Sequence, residues 1–490
     1  MSTPPDWVRD AVFYQVFPDR FARSPRLEKP SNLEPWAAPP TVHGYKGGDL
    51  LGVAERLDWL TELGITALYL NPIFRSGSNH RYHTHDYYEV DPLLGGDQAF
   101  QAMLDACRQR GIRVVLDGVF NHASRGFFQF HDILENGPAS PWVDWFRVSG
   151  FPVRAYDLKE PPNYGAWWNL HALPAFNTEN PQVREYLMQV GEHWVERGID
   201  GWRLDVPNEI KTPGFWEEFR ERVRKRNADC YLVGEIWEEA REWVAGGNRF
   251  DGTMNYLFTG ATLAFAAGDR IDGEVVKGVP YHVAPALDAT GYGDAVERLL
   301  GLYPEQAQQA NLNLLGSHDT PRVISACGGD RSSVILAALL LFSFPGAPCV
   351  YYGDEIGLPG GHDPGSRATF PWDAPDTWDQ EILGTFRSLI ALRHEHPALR
   401  SAGYRRLWPP PREHGGLLYL FLREAAEETL LVAANAGAQE ETVRLTSFDL
   451  RVGVGGVQLL WGDGQASSDG AVRVAVPARS GAVWRIEPRP

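Results

Sequence analysis

The sequence predicts an α/β chain: a (β/α)8 TIM barrel, interrupted after its third strand by a small inserted subdomain and followed by an all-β sandwich. Three observations carry this. Eight short apolar runs alternate with longer amphipathic stretches, polar residues stand directly after most of the runs, and beyond His396 the texture changes to period-two alternation.

Taken in order, the runs are 13–17, 67–70, 114–116, 201–204 and 231–233, with weaker ones at 252–256, 312–315 and 348–351. Between them, 50–63, 99–109, 183–196 and 215–225 carry helical periodicity, and Gly64, Gly111 and Gly198 are placed to close helices. The polar groups that follow the runs are Asn71; Asp117, Asn121 and His122; Asp205; Glu235; His318 and Asp319; and Asp354 and Glu355. In such a barrel the chemistry lies at the C-terminal ends of the strands. The stretch 122–177, rich in Gly, Pro and Trp, is too long for an ordinary connection and reads as the inserted subdomain. The expected organisation is a barrel over 1–121 and 178–398, the insertion at 122–177, and a sandwich over 399–490. The sandwich strands are expected at 417–422, 429–433, 441–445, 457–461, 472–476 and 482–486. The proline-rich segment 24–40 reads as loop.

A chain of 490 residues supports two or three domains and a large core. A net charge of −17 excludes nucleic acid and anionic membrane as partners and favours a neutral or cationic substrate. With 17 Trp and 18 Tyr, there are enough flat rings both to fill a core and to stack on sugars. The N-terminus has no basic region followed by an apolar one, and no apolar run reaches membrane-spanning length, so the expected location is cytoplasmic. Cys107, Cys230, Cys327 and Cys349 form no metal-type spacing and read as buried free thiols.

The stretch Asp200-Gly201-Trp202-Arg203-Leu204-Asp205-Val206 ends a buried run with an Arg and an Asp two residues apart, hence on one face of a strand. Two readings are open. The pair is a structural ion pair, or the guanidinium lowers the carboxyl's pKa and keeps Asp205 ionised as a nucleophile. Glu235, fenced by Val233, Ile236 and Trp237, is expected to have its pKa raised by desolvation and to keep a proton. Opposed environments of this kind suit glycoside hydrolysis with retention, in which a nucleophile and an acid/base stand about 5 to 5.5 Å apart. Asp319 is a third strand-end acid, able to steady a substrate.

The segments Asp117-Gly118-Val119-Phe120-Asn121-His122, Gly201-Trp202-Arg203-Leu204-Asp205, Gly234-Glu235-Ile236-Trp237 and Ser317-His318-Asp319 resemble, in order, the four motifs of the α-amylase family, glycoside hydrolase family 13. The likeness extends through 13–20, 64–74 and 346–357. The resemblance implies Asp205 as nucleophile, Glu235 as general acid/base and Asp319 as the carboxylate that holds sugar hydroxyls. It implies Arg203, His122 and His318 as contacts of the sugar at subsite −1, and His80 with Tyr82 as a His-x-Tyr pair whose ring stacks there. It also implies Asp363 and Arg367 on the non-reducing side, and Asp117, beside Asn121, as the residue that orients Arg203.

Within the family, Leu173-Pro174-Ala175-Phe176-Asn177 and Val206-Pro207-Asn208-Glu209 resemble motifs of the cyclomaltodextrinase, neopullulanase and maltogenic amylase group, in which Trp237 is an aglycone platform. There are departures: Pro207 for the usual Ala, and Glu238-Glu239 for the His-Asp that commonly follows the Trp. The group's N-terminal β-sandwich is expected to be missing, and with it that route to a dimer. The loop Ala22-Arg23-Ser24-Pro25-Arg26 offers a hard cation few oxygens, although Gly47-Gly48-Asp49 is retained. The expectation is no required cofactor and at most a weak calcium site near Gly47 and Asp49.

The leading expectation is a retaining hydrolase of α-1,4-linked, small or cyclic glucans. A transglycosylase using the same acids and a catalytically silent sugar-binding protein are the alternatives. A metal reading of His80, His83 and His85 lacks a ligating carboxylate beyond Asp86.

Overall fold

The computed structural model describes residues 3–281, 283, 285–407, 416–468 and 471–489. The eight apolar runs form parallel strands: β1 (Phe13–Val16), β2 (Ala67–Leu70), β3 (Arg113–Gly118), β4 (Gly201–Leu204), β5 (Tyr231–Gly234), β6 (Gly252–Thr253), β7 (Leu312–Leu314) and β8 (Ala347–Tyr351). Consecutive strands pair from β1 to β6, β8 pairs with both β7 and β1, and a parallel bridge between Met254 and Leu312 closes the ring. Every residue of β1, β2, β4 and β5 is buried. Strands covered on both faces can be apolar throughout, which is why the runs were legible without alternation.

Strand β6 is shorter than expected. Asn255 caps the helix Tyr256–Ala266, its side chain accepting from the Phe258 amide, so the run turns helical at Tyr256. A side chain at Gly252 would meet the Ala310 carbonyl at 2.2 Å, so the strand fits only without one. The single helix expected over 50–63 is two, Leu50–Glu55 and Leu57–Leu63, broken at Arg56; Gly64, with φ 92°, closes the second. Gly96–Gln109, Pro181–Glu196 and Phe215–Arg226 match the other helical stretches.

The segment 122–177 is closed at its base by a bridge between His122 and Ala175, with the Phe176 amide donating to the Asn121 carbonyl, and folds on itself through Phe146–Phe176, Val148–Tyr164 and Ala166–Pro174 bridges. Phe127, Phe130, Trp145, Phe146, Tyr164 and Phe176 are among its buried rings.

The C-terminal strands are β9 (Gly403–Leu407), β10 (Leu418–Ala425), β11 (Glu428–Asn435), β12 (Glu441–Thr446), β13 (Val454–Gly462), β14 (Gln465–Ser468), β15 (Ala471–Val476) and β16 (Ser480–Pro488). Among the described residues they make a five-stranded sheet, β9-β10-β11-β16-β13, facing a three-stranded one, β12-β15-β14. Strands β9 and β14 were not expected. Both are sheet edges, and Arg405, Arg406, Gln465 and Ser467 blur the alternation that a two-sided core imposes on inner strands. Leu420, Leu422, Leu431, Val474 and Trp484 form a core of their own between the sheets. Among the described residues the cysteines are free and buried, and no helix is long and apolar enough to cross a membrane.

Candidate active site

Strand β4 delivers Arg203 inward, and its guanidinium meets three carboxylates, one that follows its own strand and one from each neighbouring strand, β3 and β5. Nη1 donates to Asp117 Oδ1 at 2.8 Å and to Asp205 Oδ1 at 3.0 Å, and Nη2 pairs with Glu235 Oε1 at 2.7 Å. All four side chains are buried. Asp117 is held on its other oxygen by the hydroxyls of Tyr69 and Tyr82, at 2.9 and 2.8 Å. These contacts hold Asp117 in place against Arg203.

This sharing corrects one expectation. Arg203 was expected to single out Asp205 and lower its pKa. Instead burial, with Glu235 beside it, raises Asp205 well above the ordinary carboxylate range, and burial raises Glu235 to about 7. One guanidinium divided among three carboxyls cannot offset the desolvation of them all. The acid held low is Asp319: against the upward push of burial, His318, Arg367 and Arg203 keep it well below its usual range.

The neighbours of His318 fix its protonation. The side-chain amides of Gln15 and Asn71 both approach Nδ1, at 2.9 and 3.2 Å, so Nδ1 accepts and the proton sits on Nε2, which lies 2.9 Å from Asp319 Oδ2. Burial lowers the His318 pKa, against the upward pull of Asp319. Arg367 bridges Asp319 Oδ1 and Asp363 Oδ1, each at 3.0 Å, joining the two acids into one array.

Tyr82 lies parallel to His318 at 5.3 Å and is half-buried. His80 accepts the Tyr82 amide on Nδ1. His122 is buried, its pKa is lowered to about 3 by burial, and its Nε2 has no hydrogen-bond partner among the described residues. A neutral imidazole with a free nitrogen suits a sugar hydroxyl. Asn121 reaches His122 Nδ1 at 3.3 Å. Trp237, expected as a bare platform, rests on Tyr256 at 3.6 Å. Val206, next to Asp205, has φ 34°, a left-handed conformation unusual for a β-branched residue, and its amide donates to Glu235 Oε2 at 3.2 Å.

Tyr69, Gln15, Tyr256 and Trp167 are site residues that the sequence reading did not single out. Tyr69 and Gln15 are polar residues inside apolar strand runs, which is a usable signal. For Tyr256 and Trp167 there was none, since their contacts cross between elements.

Near Gly47 and Asp49, where at most a weak calcium site was expected, the oxygens are already engaged. Asp49 caps the helix at Leu50: Oδ1 accepts from the Gly52 amide, and Oδ2 accepts from the Ser24 amide and pairs with Lys29 Nζ at 2.9 Å. The Gly47 amide is spent on Asp19 Oδ1. An ammonium already stands where a cation would go, so these residues do not fit a calcium site. His80, His83 and His85 form no metal-binding group of three or more His, Cys, Asp or Glu among the described residues.

Three buried carboxyls on one guanidinium, with a fourth carboxylate, Asp319, held ionised nearby at the mouth of a (β/α)8 barrel, can protonate a leaving oxygen and trap an electron-poor carbon; fold and site define a glycoside hydrolase. The catalytic-domain model of the alpha-amylase family matches residues 15–381, and the chain belongs to that family. It is 40% identical to a cyclomaltodextrinase of a Bacillus species over 91% of this chain and 76% of that one, and 40% identical to neopullulanase 2 of Thermoactinomyces vulgaris over 90% and 72%. The solved structure of a debranching enzyme from Nostoc punctiforme superposes with a TM-score of 0.90 at 50% identity, over 99% of both chains.

Proposed function

We propose that the chain is a retaining hydrolase of α-1,4-glucosidic bonds in cyclodextrins, malto-oligosaccharides, pullulan or related small and cyclic α-glucans. The observation that carries this is the convergence of Asp205 and Glu235 on Arg203. Asp205 attacks the anomeric carbon while the glycosidic C–O bond breaks and Glu235 protonates the leaving oxygen. Water then cleaves the glycosyl-enzyme, giving its proton to Glu235. In the free site burial raises both carboxyls. Positive charge growing on the sugar against Asp205 favours that group's ionised form and leaves the proton on Glu235. Asp319, His318, His122, His80, Tyr82 and Arg203 meet the hydroxyls and ring of the sugar at subsite −1. Asp363 and Arg367 serve the non-reducing side, and Trp237, backed by Tyr256, serves the aglycone.

The relatives named for cyclodextrin and pullulan cleavage support this substrate class. The debranching enzyme at 50% identity favours a second reading, in which the same acids cleave α-1,6 bonds. A transglycosylase shares every step up to the water. One experiment separates them: size-resolved products over time from a cyclodextrin, soluble starch and an α-1,6-branched dextrin at equal mass. Fastest opening of the ring, with maltose and glucose accumulating, is the expected result. Release of linear chains from the branched dextrin alone would favour debranching, products longer than the substrate would indicate transfer, and no turnover of any of the three would sink the proposal.

Glu235→Gln is expected to lower kcat/KM on the order of 10²- to 10⁴-fold for sugar leaving groups and much less for an aryl leaving group that needs no proton. Because the acid must be protonated, wild-type kcat/KM should fall as pH rises through about 7. A Gln variant that kept this alkaline limb would show that another group is the acid.

We further propose that activity needs no calcium. An excess of chelator should leave both turnover and the thermal midpoint unchanged, whereas Lys29→Ala, which strands Asp49, should lower the midpoint. Loss of activity on chelation, restored by calcium, would contradict this.

A further inference from the structure

A second aromatic feature lies beside His122. Trp167 stacks on His122, with ring centroids 5.1 Å apart and planes at 17°, and Trp168 stacks on Trp167 at 4.4 Å and 12°. The rings step outward from the buried His122 to Trp168, which is 75% exposed. Trp168 and the following Asn169 are both left-handed, with φ 49° and 56°. Two consecutive non-glycine residues in that region are strained, and here the strain holds an indole in water. Folding alone gains little from that. The Trp167 indole nitrogen is buried and has no hydrogen-bond partner among the described residues.

Both rings line a cavity of about 370 Å³ that is shared with Asn121 and opens between the inserted subdomain and the loop after β4. Its charged lining, Arg147 and Lys211 against Glu179 and Glu209, balances in sign and is joined by the hydroxyls of Thr178 and Thr212, which suits a neutral ligand with many hydroxyls more than an ion. Its position gives the direction. The cavity lies over β3 and β4, diametrically across the ring from β8, after which Asp363 and Arg367 stand. If those two serve the non-reducing side, the cavity is where the leaving-group side of a glucan runs.

We propose that Trp167, Trp168 and this cavity form an additional sugar-binding subsite that takes glucosyl units of the aglycone in longer α-glucans, the CH-rich face of a glucose ring lying on the outer indole. The proposal rests on the reading of the site as an α-glucan hydrolase, and it makes Trp168 a determinant of chain-length preference.

The test uses the full chain in a Glu235→Gln background, which binds without turnover, with calorimetric Kd values for maltotriose and maltoheptaose. Trp168→Ala is expected to weaken maltoheptaose about 3- to 10-fold more than maltotriose, the loss of one stacking contact. Trp168→Phe should recover most of the difference. Phe448→Ala, which removes an 89% exposed ring from the C-terminal sandwich, should shift neither value. Equal weakening of both sugars by Trp168→Ala, or no change in either, would overturn the subsite while leaving the glucan reading intact. Failure of the Glu235→Gln protein to bind either sugar would overturn both.

Discussion

Asp205→Asn is expected to remove turnover, by on the order of 10⁴-fold, while the protein stays folded and still binds glucan. The amide oxygen of Asn can keep accepting from Arg203 Nη1, now 3.0 Å away, and the shape of the side chain is unchanged. What is lost is the carboxylate that forms the glycosyl ester in the proposed mechanism. The expectation separates the two readings of the Arg203–Asp205 pair. A structural ion pair would show its loss in stability. Here burial already raises Asp205 well above its ordinary range, so a neutral side chain suits the site in the resting protein. Steady-state kinetics and thermal unfolding of the same preparation check this: activity within about tenfold of wild type, with a lowered midpoint, would return Asp205 to a structural role.

The second large effect is on stability. Arg203→Met is expected to cost about 3 to 5 kcal/mol at pH 8, because it leaves three buried carboxyls facing one another without a counter-charge. The pH dependence follows from linkage. Glu235 is raised from 4.5 to about 7 in the native state, and Asp205 is raised as well, so between those values the native state binds more protons than the unfolded chain and stability falls as pH rises. Removing Arg203, which lowers both groups, deepens that fall and carries it to higher pH. Urea unfolding at pH 5 and pH 8 should therefore give a smaller loss at pH 5. Equal losses would mean that the destabilisation comes from lost packing against Tyr69 and Met254 and not from charge.

Much of the barrel was legible because each strand is buried on both faces, which turns an architectural constraint into unbroken apolar runs such as Ala67-Leu68-Tyr69-Leu70. The acids were legible because they follow those runs. Boundaries were not. Strand β6 ends where Asn255 finds the Phe258 amide, and the helix at 50–63 breaks at Arg56, both local hydrogen-bonding outcomes with weak sequence signals. The strands β9 and β14 escaped because Arg405, Arg406, Gln465 and Ser467 break up their apolar alternation.

The sequence by itself determined the ring of strands, the residues at its mouth and the family to which the chain belongs, since these depend on burial patterns and on motifs contained within single elements. The tertiary structure alone decided the electrostatics. Whether Arg203 serves one carboxyl or three, whether Asp49 faces a cation or Lys29, and whether Trp168 stands in the core or in water depend on side chains brought together from distant segments. Charge interactions fall off with distance and with exposure to solvent, and neither is written in the spacing of residues along a chain.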